Sequence, residues 1–424
     1  MRIAKARDYA RSFAWSGADQ VLSSLSNVII AIAIARAGGA AGLGRFSVAF
    51  ACYLIVLGFN RQLVAEPLLS LRWHPTSPHE LHESPALGAS ILYLAVASLV
   101  VLGIGVATGR VELVVLAPLL PGVCIQDLER YVAFRRQQQR LPAALDGLWV
   151  VFSAVFCYWV LRSGSPAVAV AAWGLAGGIS AVFGAIRLRL VPARPSVSIR
   201  WWRREAKRLG GFLTLASIAY TVGAQGVLLG IAATIGVEAL GQLRTAQILL
   251  GPAGLSTTAF SFFILPRLIR REGEITTRNS GLMSIAAATI AVSACGASIV
   301  LAPLVSRLIF GHATAVALIL LIPLSVQLFF EAAASGFSLP LQVTQRGAAI
   351  AAARLASVAV GVPAVVWAAS VGGIVFAVWA LAGQAGVYLL ALVVGWRSGL
   401  GLPTARSQPA VDRGPAGAES RDRL

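Results

Sequence analysis

The chain has 424 residues, 57% of them hydrophobic and only 12% charged, yet it carries a formal net charge of +18 from 35 basic and 17 acidic residues. Soluble domains run about 45–50% apolar and about 25% charged, so a soluble globular protein is excluded, as is a disordered chain. Four cysteines, Cys52, Cys124, Cys157 and Cys295, lie unpaired in apolar runs and exclude a disulfide scaffold.

Apolar stretches long enough to cross a bilayer, about 20 residues each, follow one another along the chain. They fall at 13–35, 43–69, 86–108, 111–131, 143–161, 166–186, 209–234, 242–266, 280–305, 314–337, 345–368 and 372–395. The expected fold is all-α, a polytopic membrane protein of about twelve transmembrane helices. With a cytoplasmic N-terminus, 27 basic residues fall inside and six outside: Arg36, Arg45, Arg110, Arg162, Arg244 and Arg307. That bias sets the topology, and the even count of spans puts both termini in the cytoplasm. Arginine clusters that alternate with spans do not form one basic domain, so no nucleic-acid partner is expected. Segment 196–208 (SVSIRWWRREAKR) reads as an interfacial helix with Trp201 and Trp202 at the headgroups. The polar segment 401–424 reads as a disordered cytoplasmic tail.

The first span presents Ser16, Gln20, Ser23 and Asn27 on one helical face, widened by Asp19 and Ser26. Such a face lines a hydrated cavity or bonds neighbouring helices. The second span holds Asn60-Arg61-Gln62 and ends at Glu66-Pro67, where the proline frees the Leu63 carbonyl and bends the helix. His74, His79 and His82 with Glu80 and Glu83 follow in a solvated loop, which lacks the fixed geometry of a metal site. Asp127 and Asp146 read as neutralising the cytoplasmic arginine fringe. The seventh span answers the first with Thr214, Ser217, Thr221 and Gln225, and Gly251-Pro252 offers a hinge in the eighth. Arg354 in the eleventh span either binds cargo or pairs with Glu331 in the tenth. For Arg61 the cargo role is favoured over an ion pair, since Glu66 lies on another face. Asp19, Glu66 and Glu331 are candidates for ion coupling or an inner gate. There is no nucleotide-binding loop, Ser/His/Asp set or redox cysteine pair, so no catalytic residue, cofactor or metal is expected.

The halves repeat. Gly39 and Gly44 map to Gly236 and Gly241 at one offset of 197, which also takes Arg11 to Arg208, Gln20 to Ser217 and Ser24 to Thr221. Parallel repeats of this kind place a cargo path between them. The expected organisation is an N-lobe at 1–199 and a C-lobe at 200–400, six helices each, related by pseudo-twofold symmetry.

The stretch ARAGGAAGLGRFSVAF (35–50) resembles the signature that joins the first two spans of polysaccharide transporters. These are the Wzx-like flippases of the multidrug/oligosaccharidyl-lipid/polysaccharide exporter superfamily. The matching residues are Ala35, Arg36, Gly39, Gly44 and Phe46. The acidic pair usual between the glycines is absent, Ala41 and Gly42 standing there, while the second half keeps Glu238. The resemblance implies two lobes in a V around a central cavity, alternating access, and a bacterial inner-membrane flippase for a polyprenyl-diphosphate-linked oligosaccharide. Arg61 and Arg354 would hold the diphosphate by charge-assisted bonds, and Asn60, Gln62, Gln20, Asn27 and Gln225 would line the cavity. Implied partners are the lipid-linked glycan, membrane lipids, a coupling proton or sodium ion, and glycan-assembly proteins. Alternatives are a multidrug/cation antiporter or lipid II flippase of the same superfamily. A glycan polymerase or ligase is disfavoured by outside loops of about a dozen residues or fewer.

Overall fold

In lipid, backbone polar groups find partners only within helices or closed barrels, and this alanine-, leucine- and valine-rich chain takes the helical solution. The structure is a computed structural model that describes residues 2–70, 80–138, 140–208, 211–257, 260, 264, 277–310, 315–343 and 347–397. The elements run α1 (Arg2–Asn60), one π turn (Arg61–Ala65), α2 (Glu66–Ser70), α3 (Glu80–Thr108), α4 (Val111–Arg135), α5 (Arg140–Ser163), α6 (Pro166–Leu188) and α7 (Pro195–Arg208). Then come α8 (Gly211–Ile235), α9 (Val237–Leu249), α10 (251–257), α11 (Thr277–Phe310), α12 (Ala315–Val343) and α13 (Gly347–Arg397).

Among the described residues, nine helices are long and apolar enough to cross a membrane. Two of them, α1 and α13, each hold a pair of the expected spans, bent back at Gly39 (φ 65°, ψ −164°) and Gly373 (φ 68°, ψ −157°). Gly236 (φ 96°, ψ 163°) makes the corresponding bend between α8 and α9. All three lie in a backbone region open in practice only to glycine. Gly39→Ala and Gly236→Ala are therefore each expected to cost about 1–3 kcal/mol. Gly103→Ala, at a position with open space around it, should leave the melting temperature in detergent unchanged or raised. Equal melting temperatures for all three variants would sink the argument.

The eighth span is α9 plus α10, interrupted at Leu250 just before the Gly251-Pro252 pair. The second span ends in the π turn, where the Glu66 N–H reaches the Arg61 carbonyl. Pro67, which has no N–H, follows directly.

Packing divides the helices into two groups. In the first, α1 lies on α5 and α6, α4 on α3 and α6, and α7 on α3. In the second, α13 lies on α8 and α12, and α12 on α11. The groups meet where the second half of α1 packs on α9 and α8. Large apolar side chains such as Leu99, Val106, Val300, Leu308 and Trp367 point outward, as lipid-facing positions of a multi-pass membrane protein do.

The repeat offset is realised in space. A Cβ on Gly44 would run into the carbonyl of Val237, and one on Gly241 into the carbonyl of Ala40. Each contact maps onto the other at 197, so α1 and α9 cross about the pseudo-twofold axis with backbones touching. Segment 195–208 is helical as expected, but Trp201 packs inside the protein on α3, where it donates to His82 Nδ1 (3.3 Å), instead of facing the headgroups; Arg200 and Arg203 are exposed. His74, His79, Arg72 and the tail at 401–424 lie outside the described residues.

Candidate functional site

A charge network occupies the first helix group. Arg61, at the start of the π turn, donates from Nε and Nη2 to both oxygens of Asp127 on α4 (2.8 and 2.6 Å). Arg130, one turn further along α4, bonds Asp19 of α1 (2.6 Å) and lies 3.5 Å from Asp127 and 3.7 Å from Asp146 of α5. Gln126 donates to Asp146 (2.7 Å). Three carboxylates around two guanidiniums tie α1, the π turn, α4 and α5 together. Glu129, on another side of α4, is fully buried against Gly184 of α6, and neither of its carboxylate oxygens has a hydrogen-bond partner.

Arg61 thus has the kind of ion-pair partner that was weighed against its cargo role. A bidentate ion pair engages the fork that was assigned to cargo, and the partner came from α4, which the spacing within its own span did not reveal. Asn60 is fully buried and its Oδ1 accepts from Ser90 of α3 (2.8 Å), so it fastens the second span to α3. Gln62 and Glu66 bond one another (2.6 Å) on the exposed side of the π turn.

A cavity of about 430 Å³ opens in the second group. Tyr220 and Gln225 of α8, Arg244 of α9, Glu331 of α12, and Arg354 and Gln384 of α13 line it. The Arg354 guanidinium sits 4.5 Å from the centre of the Tyr220 ring, a cation–π contact. Among the described residues it makes no ion pair with Glu331, which instead accepts from Gln327 (2.8 Å). The ion pair weighed for Arg354 thus falls to Arg61. The Gln225 Oε1 and Arg354 Nε are buried without hydrogen-bond partners.

Arg244, expected at the outer rim, lies eight residues beyond the Gly236 bend, roughly 12 Å of helix. It faces inward, 5.5 Å from the centre of the Phe50 ring of α1, and donates to Gln247 (2.9 Å). Arg244 and Gln247 also line a smaller pocket of about 200 Å³ with Asn27, Phe46 and Phe50. Asn27 accepts there from Trp173 Nε1 (2.8 Å). Val28, Ile248 and Gly251 are shared in turn with an apolar groove of about 510 Å³ between α1, α9–α10 and α11. Polar cavity, pocket and groove therefore adjoin through common walls.

The two seams between the groups differ. On one side Gly58 of α1 meets Thr221 of α8, where an added Cβ would come within 2.6 Å of Thr221 Cγ2. The offset maps this pair onto Leu255 and Ser24, and both of those residues line the apolar groove. Among the described residues the two seams therefore pack differently.

Of the expected site residues, the fold brings Arg354, Gln225 and Glu331 into one cavity and Asn27 into the adjoining pocket. Asp19 goes to the ion-pair network, and the Gln20 side chain lies outside the described residues. Arg244, Tyr220 and Phe50 were missed. The offset held a signal for two of them: position 247 corresponds to Phe50, and Arg244 corresponds to Ser47, so a cation stands where the other half has a hydroxyl.

No protein-family model and no curated protein matches the chain. Solved structures do. The chain is similar to the lipid II flippase MurJ in an inward closed conformation (TM-score 0.69, 12% identity, 91% of this chain and 87% of that one). It is also similar to an inward-facing multidrug resistance MATE family transporter of the MOP superfamily (TM-score 0.62, 14% identity, 89% and 93%). The eukaryotic MATE transporter AtDTX14 is another (TM-score 0.61, 14% identity, 93% and 96%). At these identities the likeness is one of fold: the chain has the architecture of MOP-superfamily transporters along nearly its whole length.

Proposed function

We propose that the chain is a transporter that flips a polyprenyl-diphosphate-linked glycan across the bacterial inner membrane by alternating access, with both termini in the cytoplasm. The observation that carries this reading is the adjacency of a polar cavity holding Arg244 and Arg354, a smaller pocket and an apolar groove along α1 and α9–α10, each sharing lining residues with the next. A diphosphate head needs cationic donors in a hydrated space, and a prenyl chain needs an apolar surface beside it. A water-soluble cargo would have no use for the groove. The barrier to flipping is the polar head in hydrocarbon, and the cavity removes it while the tail stays in lipid. The lobes at 1–199 and 200–400 rock about the α1–α9 crossing. Asp19, Glu66 and Glu331 are the candidates for proton or sodium coupling.

A second reading, export of a cationic compound, rests on Glu331, which is exposed in the cavity. Two arginines against that one carboxylate favour an anion. Binding decides between the two readings. In nanodiscs, geranylgeranyl diphosphate is expected to bind the intact protein, and Arg354→Gln should weaken binding by about tenfold or more. Ethidium binding that is lost in Glu331→Gln, with no diphosphate binding, would establish the second reading instead.

A further inference from the structure

Arg244 has two faces. One looks into the cavity that holds Arg354; the other lies over Phe50 of the opposite helix group. No carboxylate pairs with it among the described residues. Its repeat counterpart, Ser47, is buried and bonds its own helix at the Leu43 carbonyl (2.7 Å), so at this pair of positions α9 carries a cation and α1 a hydroxyl. The contact sits one turn from the Gly44–Gly241 crossing, where backbone meets backbone.

We propose that Arg244 is a cargo-released latch. In the unloaded protein its guanidinium holds the Phe50 ring and with it the α1–α9 seam. A diphosphate in the cavity offers two charged acceptors in the geometry of the guanidinium fork, which outcompete a ring face. The arginine turns to the cargo, Phe50 is released, and the seam is free to part. Opening toward the outside is thereby made conditional on loading. A ligand shifts a conformational equilibrium only through differential contacts in the two states, and Arg244 supplies one: seam when empty, cargo when full.

The inference rests on the diphosphate reading of the cavity, and one experiment separates them. Full-length protein, with its four native cysteines replaced by serine, carries spin labels at Thr108→Cys and Ser370→Cys, beside the Gly109 and Gly373 turns. Inter-label distances are measured in nanodiscs with and without geranylgeranyl diphosphate, and binding of the same probe is measured separately. Addition of the probe should lengthen the distance in the parent protein. Phe50→Leu should raise the separated population without probe by about threefold or more while still binding the probe. Arg244→Gln should separate without probe and respond no further. Probe binding with both variants distributed like the parent overturns the latch and leaves the cavity assignment standing. Absence of probe binding to the parent overturns the cavity assignment and cargo release together. Melting temperatures near the parent's confirm that both variants fold.

Discussion

Gly44→Val is expected to abolish transport while leaving the protein inserted and folded. The Gly44 Cα faces the Val237 carbonyl across the pseudo-twofold axis, and the added side chain would occupy the place of that oxygen. Backbone cannot swing aside as a long side chain can, so the helices must separate at the crossing. The state with α1 and α9 in contact becomes inaccessible, and a carrier confined to one side of its cycle moves nothing. Inverting a two-state equilibrium from 1:99 to 99:1 takes about 5.5 kcal/mol, within reach of a clash that forces apart two packed helices. Gly241→Val should reproduce the phenotype, because its contact with Ala40 is the symmetry mate. Gly103→Val, at a position with open surroundings, should transport normally. Delivery of lipid-linked glycan to the outer leaflet is the measurement, and a Gly44→Val protein with parental delivery would remove the crossing from the cycle.

The second large effect concerns stability. Asp127→Ala strips the bidentate partner from Arg61 and one of three carboxylates from Arg130. Removing one member of a buried pair typically costs about 3–5 kcal/mol. Here the lower end of that range is expected, since the Arg61 side chain is 38% exposed while Asp127 is only 3% exposed. The double variant Asp127→Leu, Arg61→Met should recover most of the loss, because no uncompensated charge remains between those two positions. Thermal melting of the singles and the double gives the coupling. Independent, additive losses would show that the ion pair does not bind the π turn to α4. Cargo binding provides a contrast: Arg61→Gln should lower stability and leave diphosphate affinity within about threefold, the reverse of Arg354→Gln.

Much of the architecture was legible because its causes are local. Hydropathy over about 20 residues marks a span, and the offset of 197 located the glycine bends. Gly39 and Gly236 then share a backbone conformation, and Gly44 and Gly241 touch reciprocally. The cavity was harder. Arg61 and Arg354 are equivalent in the sequence, two guanidiniums at similar depth in spans, and only the neighbouring helix separates them. Asp127 comes within reach of one, and a tyrosine ring within reach of the other. Asn60 looked like a polar wall residue for the same reason, until Ser90 of α3 closed over it. Arg244 was assigned to the outer rim by the arithmetic that fixed the topology. Counting basic residues per loop describes the ends of spans and is blind to which way a side chain near an end points. Partners on other helices are a property of packing, which one-dimensional spacing does not encode.

The unequal seams have a consequence for how this protein can be crowded. Gly58 packs tightly on Thr221 on one flank, while among the described residues Ser24 and Leu255 line an apolar groove on the other. If that groove admits the tail of the proposed cargo, traffic would be one-sided, with every molecule entering between α1 and α10. A neighbour seated on the Gly58–Thr221 flank would then leave traffic undisturbed, while one covering α1 and α11 would block the groove. A self-assembly, or an enzyme that hands over the finished cargo, is thus constrained in where it can stand.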